Sequence, residues 1–590
     1  MRRPNKRSAN PIRRSADRPK PAAPGNLARS AQGSVRSYAV GALPILNRIL
    51  QRMKLEDFFR AYLPPDDSRT KLSPAKGLLV LLRNLLVSRE PLYGMGEWAA
   101  RYAPDLLGLS PKEVGLLNDD RVGRELDMVF LLDIQSLVLA AVTHVVEEFD
   151  VQLDQLHNDS TTVTFSGAYT DAATETRSFG HPTLAITFGH NKDHRPDLKQ
   201  LLYILTVTED GGVPIHFRTA SGNTSDDQTH RQTWELLRQL TGRCDFLYVA
   251  DCKLATTENL SYIAAKGGRF VSVLPRTRKE DTAFRQQLRE GSVAWKPLWD
   301  KLDEQGQLVD RYSICAPTAA TAEGYALFWY HSTRKAECDA AARAKRIDRA
   351  LHRLDQLRRK VAMPRTRYRQ IPKVQKAVED ILNHYDVAPW IHAQITPQEQ
   401  ETYRQAERGR PGKNTRYVRQ VSTRLELTYT LDAQQVAAER IADGVFPLVS
   451  NVLALSAREV LEAYKHQPTI EKRFSQLKTD FAVAPMYLKD VRRIQALLCL
   501  YFFAMLVEAL LERELRQAMA REGIESLPMY PEGRPCRWPT ARRLIDLFEN
   551  VQRHEMEIPG GQPVVLVTEL TNLQRRILKL LGLSPDSYGV

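Results

Sequence analysis

Tyr464-Lys-His-Gln-Pro-Thr-Ile-Glu471-Lys-Arg-Phe-Ser-Gln-Leu-Lys478 is the run from which the rest of this 590-residue chain can be interpreted. At 3.6 residues per turn, Tyr464, Gln467, Glu471 and Lys478 share a sector of about 60° on one helix face. A hydroxyl, an amide, a carboxylate and an ammonium then point the same way, a set suited to phosphate and metal ions. The same pattern also describes an amphipathic core helix with a solvated charged face, so the surrounding sequence has to discriminate. Two local signals frame the stretch. Ser456-Ala-Arg-Glu459 is a capping box that opens a helix. Pro468 removes one backbone hydrogen bond, which predicts a kink or a fresh helix start one turn before Glu471.

Outward from this helix, strand and helix signals alternate from residue 151 onward, which implies a mixed α/β sheet. The runs 183–190 and 201–207 are β-branched or aromatic at strand length. They are joined by the polar loop Asn191-Lys-Asp-His-Arg-Pro-Asp-Leu-Lys199, so a hairpin with a basic tip is predicted. A helix follows near 228–241, then an apolar strand at 246–250 ending in Asp251, a second helix, and a strand at 270–274. The second half of the sheet is expected at 445–450. Between 281 and 442 the sheet pattern breaks, and a structureless segment of that length is implausible in a compact domain. A folded α+β insertion is predicted there.

Two acids close predicted strands: Asp159 in His-Asn-Asp-Ser-Thr-Thr162, and Asp251. Phosphoryl transfer assisted by two divalent ions needs carboxylates that converge from different elements. Asp159, Asp251 and Glu471 answer that need in order, with separations of 92 and 220 residues, the longer gap being the one that contains the insertion.

The composition points the same way. With 84 Lys+Arg against 70 Asp+Glu the net charge is +14, which favours a polyanionic partner, nucleic acid first. Residues 1–37 hold ten Lys or Arg and one acid, with little that is apolar. That segment is expected to be a disordered basic tail, either screening phosphates or solubilising the chain. Residues 38–150 show helical periodicity, with helix starts at Ser73-Pro74 and at Ser110-Pro-Lys-Glu113. The six cysteines are scattered without a C-x2-C pair, as in a reducing cytoplasm. No secretory signal is expected, and the apolar run 494–511, broken by Gln495 and Glu508, reads as a buried helix rather than a membrane span.

The stretch 464–478 resembles the Y-x2-R-x3-E-x6-K signature of DDE transposases of bacterial insertion sequences, the insertion-sequence-four-like group. Tyr464, Glu471 and Lys478 match it, while Gln467 stands where that family has Arg. Asp159 with its Ser-Thr-Thr and the strand-ending Asp251 match the family's first two acidic motifs, and the similarity runs from about residue 158 to 509. Asp154 is a rival for the first acid. Asp159 is preferred because Ser-Thr-Thr follows it, whereas Asp154 lies in a Gln-flanked, less apolar context. The resemblance implies an RNase H-like catalytic domain in two halves (151–280 and 443–520) around the insertion (281–442). A helical N-terminal domain (38–150) precedes it, with DNA-end recognition its role by position, and a small mostly helical C-terminal region (521–590) follows.

It further implies a DNA transposase that binds the terminal inverted repeats of its element, cleaves the ends and joins their 3′ hydroxyls to target DNA. Asp159, Asp251 and Glu471 would be both the catalytic and the metal-binding residues, holding two Mg²⁺ ions for which Mn²⁺ can substitute. Tyr464, Gln467, Lys478, Lys192, Arg195 and Lys199 would contact DNA. Two protomers on paired ends, no membrane partner, and a bacterial cytoplasmic location, on the nucleoid when DNA-bound, complete the expectation. The alternatives are a stand-alone RNase H-like nuclease and a catalytically silent, transposase-derived DNA-binding protein. Two further readings stay beside these. His190, His194, Asp193 and Asp197 could form a zinc cluster, and Trp329 or Trp390 could stack on an extruded base, although packing is the commoner use of either tryptophan.

Overall fold

The computed structural model describes residues 34–589 apart from 304, 317, 559–561 and 563. Residues 1–33 of the expected tail therefore lie outside the described residues. The rest of it differs from the expectation, because Ser34–Ala39 is a strand. It pairs antiparallel with Gln552–Glu557, which in turn pairs with Val564–Val567. The partner of Ser37, His554, is 517 residues away, a distance at which local composition carries no signal.

The main sheet has ten strands. From one edge the order is Pro214–Ser221, Lys199–Thr208, Gln155–Phe165, Leu247–Ala250, Arg269–Val273, Val445–Ser450, Ala326–Ser332, Leu308–Cys315 and Trp295–Leu302, with Ala319–Ala320 attached to Ala326–Ser332. The first three are antiparallel to one another, and the next two join Gln155–Phe165 in parallel. That is the RNase H-like arrangement, placed after an N-terminal helical region. The remaining strands continue the sheet antiparallel.

The hairpin expected from 183–190 and 201–207 is not formed. Lys199–Thr208 pairs instead with Gln155–Phe165 and Pro214–Ser221, and only an isolated bridge, Thr187 to Gln200, joins the first run to it. The cause is a close backbone approach. A Cβ on Gly189 would come within 1.9 Å of the Gly222 carbonyl oxygen, so 183–190 crosses the sheet end instead of lying along it. The buried Gln200 amide satisfies the crossing, donating to the carbonyls of His190 and Gly222.

Between the sheet halves, the segment 295–332 extends the main sheet. A second hydrophobic core gathers Ala350, Leu354 and Leu357 of the helix Thr333–Ala362, Val374 and Val378 of Ile371–His384, and Ile391 and Leu427 of a long hairpin.

The helix Val491–Arg521 organises everything else. Every residue from Ala496 to Arg513 is buried. The helix is long and apolar enough to cross a membrane, yet 94% of its most apolar window is enclosed by protein. It packs on the N-terminal helices Leu43–Arg52, Pro74–Val87 and Asp119–Phe130, on the strand Pro214–Ser221, and on the C-terminal helices Ala541–Phe548 and Asn572–Leu580. N-terminal, catalytic and C-terminal regions thus share one hydrophobic core.

That core also holds charge. Glu508 is 1% exposed and accepts a hydrogen bond from the Gln476 amide. Burial pushes its carboxyl up to about 8, with the negative charges of Glu512 and Asp480 adding and Arg473 and Arg542 opposing. Because the folded state resists ionisation, stability from this group is fully present below the ordinary carboxyl range and is lost as pH rises toward about 8. Glu508→Gln keeps the acceptor and removes the titration. Its melting temperature relative to wild type should therefore climb between pH 5 and pH 8.5 by the equivalent of about 3–5 kcal/mol. A pH-independent difference between the two proteins would contradict this account.

Candidate active site

The strand Gln155–Phe165 carries the first acid, and its alternation decides which side chains meet the motif helix. Gln155, His157 and Asp159 share one face. The Gln155 amide donates to the Ala463 carbonyl at 3.3 Å and to His157 Nε2 at 2.9 Å, while His157 Nδ1 lies 2.9 Å from Gln467 Oε1. This bonding assigns the tautomer, with Nδ1–H donating to Gln467. Burial lowers the His157 pKa to about 4, so the ring is neutral. The other end of the Gln467 amide donates to the Asn158 carbonyl at 3.3 Å. Gln467, expected to face DNA, is instead 7% exposed and spends both ends of its amide inside the protein.

The motif is not one continuous helix. Ala457–Lys465 ends, and Pro468–Ser475 starts afresh with Pro468 in its first turn, one turn before Glu471 as the proline predicts. The Ser456 capping box is formed. Gln476–Asp480 is a π-helical turn, which takes Lys478 off the α-helical phase.

The parallel register pairs Asn158 with Ala250, so Asp159 and Asp251 are the next residues along. Asp251 follows the end of its strand as expected, but Asp159 does not close its own, because pairing with Lys199–Thr208 carries that strand on to Phe165. Asp251 is fixed by its own backbone turn, accepting from the Lys253 N–H at 3.0 Å while its carbonyl accepts from Ser272 Oγ. Asp159 receives the Lys192 ammonium at 3.1 Å, and the same ammonium donates to the Ser160 carbonyl at 2.7 Å. Burial raises the Asp159 pKa, the Lys192 charge opposes this and the Asp251 charge adds to it. Tyr464 reports on the whole constellation. Its phenol is raised first by burial and then by Asp251, Cys252, Glu471 and Asp159, so the hydroxyl lies within the field of all three acids. Glu471 itself is exposed in the first turn of its helix. The rival Asp154 is exposed and paired with Arg243.

The remaining expected contacts are placed as follows. Lys478 donates to Asp193 at 2.6 Å, Arg195 pairs with Asp197, and Lys199 donates to the Ala168 carbonyl. Trp329 stacks on Phe284 at 3.9 Å, and Trp390 is buried beneath the Arg346 guanidinium, so both are packing residues here. Among the described residues no three His, Cys, Asp or Glu side chains stand close enough to hold a metal ion. This excludes the zinc cluster as it stands and means that the three acids share a field without yet sharing ligand distance. Their chemistry fits a divalent cation all the same. The donors are hard oxygens, two of them repel each other in register, and an ammonium already supplies positive charge at Asp159.

Residues 156–507, more than half of the chain, match the family model described as transposase DDE domain. The chain belongs to the DDE transposases. Residues 35–143 match a second model, a domain of unknown function (DUF4277). No curated protein matches the chain. Members of the DDE transposase family act on DNA and generally use divalent metal ions.

What sequence reasoning missed in this transposase is how the Glu471 helix is held. Two residues after the acid, Arg473 is 5% exposed. It donates to the carbonyls of Gly211 at 3.0 Å and Gly212 at 2.9 Å, to Gln476 Oε1 at 2.9 Å, and pairs with Glu512 of the long core helix at 3.1 Å. Gly212 has φ +63°, and a Cβ there would meet Thr469 at 2.4 Å, so the turn and the helix start are in direct contact. The signal was available: Ile470, Arg473, Phe474 and Leu477 form one stripe, and a charge on an apolar stripe demands a partner. Arg473→Ala leaves Glu512 buried without its principal counter-charge and should cost about 3–5 kcal/mol of stability. Chemical denaturation measures this, and a loss below about 1 kcal/mol would mean that the network does not anchor the helix.

Proposed function

We propose that this transposase binds the inverted repeats at the ends of its own element, hydrolyses a strand at each end, and uses the freed 3′ hydroxyl to attack target DNA. The observation that supports this best is the in-register pair Asp159 and Asp251 lying with Glu471 in the field of one half-buried phenol. Asp159, Asp251 and Glu471 would hold two Mg²⁺ ions, which when bound supply activation of the attacking oxygen and stabilisation of the leaving one. The reaction is an in-line displacement at phosphorus. Water and then the 3′ hydroxyl are the nucleophiles, and a 3′ oxygen leaves each time, so no covalent protein intermediate is required.

The chain's own residues supply position and charge. Tyr464 offers, within the field of the acids, a hydroxyl that partial burial keeps protonated. Lys192 brings its ammonium to the edge of the acid pair, where a phosphate drawn to the same place meets a cation. Lys478 orders the loop that carries Lys192 through its bond to Asp193, and both lysines would follow the end phosphates. Arg195 and Lys199 extend the same loop toward the DNA backbone. Two protomers acting on paired ends in the cytoplasm complete the reading.

The test uses a supercoiled plasmid carrying the DNA that natively flanks the coding region, with Mg²⁺, scored for nicks and joined products. Asp159→Asn, Asp251→Asn and Glu471→Gln should each lower nicking by more than about 100-fold, beyond the loss caused by outer-shell changes at metal sites. Binding to the same DNA should stay close to wild type, because affinity is spread over many phosphate contacts. Asp154→Asn should leave both unchanged. Nicking that survives in all three acid variants would overturn the site, and nicks without joined products would favour a nuclease.

A further inference from the structure

The hairpin of the second core projects far beyond it. Ile391–Gln405 and Tyr417–Leu431 are each 15 residues long and paired without a break. Ile391 and Leu427 are buried at the base, and Ile395 and Leu425 are half-buried there. From 397 to 424, every residue but Gln405 and Thr415 is exposed. At about 3.4 Å per residue, the eight outer positions of each strand reach some 27 Å into solvent. A two-stranded ribbon with water on both faces is marginal by itself, so this arm is built to be covered by something.

Its composition says by what. From Arg404 to Arg424 there are seven Arg or Lys, namely Arg404, Arg408, Arg410, Lys413, Arg416, Arg419 and Arg424, against Glu407 alone. Arg419 is paired with Glu401 across the strands. Among the described residues, Arg404, Arg408, Arg410, Lys413 and Arg416 have no side-chain partner. The register places Tyr403 opposite Arg419 and Gln405 opposite Tyr417, so both tyrosines and Arg419 share one face, with Tyr403 63% and Tyr417 54% exposed. Arg404 lies opposite Val418 on the other face, and the Ala406 N–H donates to the Arg416 carbonyl where the turn begins. A second copy of the chain could pair with such an edge only by bringing two basic ribbons together, and charged edge strands are a device that prevents this.

We infer that the β-arm 396–425 is a DNA-binding element that lies along duplex DNA, its basic tip on backbone phosphates and its tyrosine face toward the groove. A two-stranded antiparallel ribbon fits the major groove, and contacts from Arg and Lys to phosphate position a protein without reading sequence. The inference rests on the reading that this chain acts on DNA, and adds a contact surface separate from the acids.

The test compares the full-length protein with a quadruple variant, Arg408→Ala, Arg410→Ala, Lys413→Ala and Arg416→Ala, and with the charge-preserving Arg→Lys variant at 408, 410 and 416. The probe is a duplex of arbitrary sequence and about 40 base pairs, titrated from about 50 to 200 mM salt. The alanine variant should show a slope of log K against log[salt] shallower by about 0.9 for each lost contact, and so by about 2 to 3.6 in all. The lysine variant should keep the wild-type slope, which a merely structural arm would not require. An unchanged slope in the alanine variant overturns the proposal. So does a variant that binds normally but loses self-association in sedimentation, since the arm is then an interface between copies. A wild-type protein that binds no duplex at all overturns the DNA reading itself rather than the arm.

Discussion

A guanidinium cannot enter a protein core without its hydrogen bonds and its counter-charge, and Arg473 is where this transposase meets that constraint. The side chain leaves the Glu471 helix on the face opposite to solvent and must find acceptors at once. It finds one a turn further along, at Gln476, and the others on two elements distant in sequence: the Gly211-Gly212 turn of the main sheet and Glu512 on the long core helix. Each partner is then constrained in turn. Glu512 also accepts from the Ala541 backbone N–H, and so pins the C-terminal helix Ala541–Phe548, while Gln476 reaches Glu508. Such a network contributes little net stability over an apolar replacement. What it fixes is direction, since with Arg473 pointed inward, Glu471 two residues earlier must point away from the core.

The acids on the sheet are set by a different means. Their proximity follows from parallel register alone, which needs no side-chain network but brings two like charges together, one in mid-strand and one just past a strand end. Lys192 relieves part of that repulsion from a loop ordered by Asn191, whose amide donates to Gln200 while its oxygen accepts from the N–H groups of Asp193 and Arg195. The loop therefore belongs to the acid site as much as the strands do. A cation held by the acids and the Lys192 ammonium answer the same electrostatic need, so strengthening one weakens the demand for the other.

Much of this was legible in the sequence. The RNase H-like strands at 199–208, 247–250, 269–273 and 445–450 carry apolar and β-branched runs that announce them, whereas 155–165 buries His157, Asn158 and a row of hydroxyls and runs on past Asp159. Capping boxes and Pro468 mark helix boundaries through bonds between near neighbours, which is why they could be read. The illegible parts share one physical feature: their structure is decided by partners far along the chain or by no core at all. Ser34–Ala39 depends on Gln552–Glu557, and the run at 183–190 was diverted by the approach of Gly189 to Gly222. The outer part of the strand Ile391–Gln405, beyond Ile395, is rich in Gln and Glu and has no apolar alternation, because neither face is buried there. The inward turn of Gln467 also escaped the helical wheel, since the break before Pro468 and the π-turn at Gln476–Asp480 remove the continuous helix on which the wheel relies.

Gln467 shows how a departure from a family pattern can be read physically. Its pocket offers a neutral imidazole and a backbone carbonyl as hydrogen-bond partners. An amide suits that pocket because it both donates and accepts, meeting the His157 Nδ1–H with its oxygen and the Asn158 carbonyl with its nitrogen. A guanidinium only donates, so it would face the N–H of His157 with another N–H and would bring a charge into a site where the nearest ring already resists protonation. An arginine at this position therefore has to turn outward, toward solvent or phosphate. With glutamine the position turns inward and becomes a tie between the strand of Asp159 and the helix of Glu471. The positive charge given up there is not replaced on this helix face. It is found instead on the loop, at Lys192, next to the first acid.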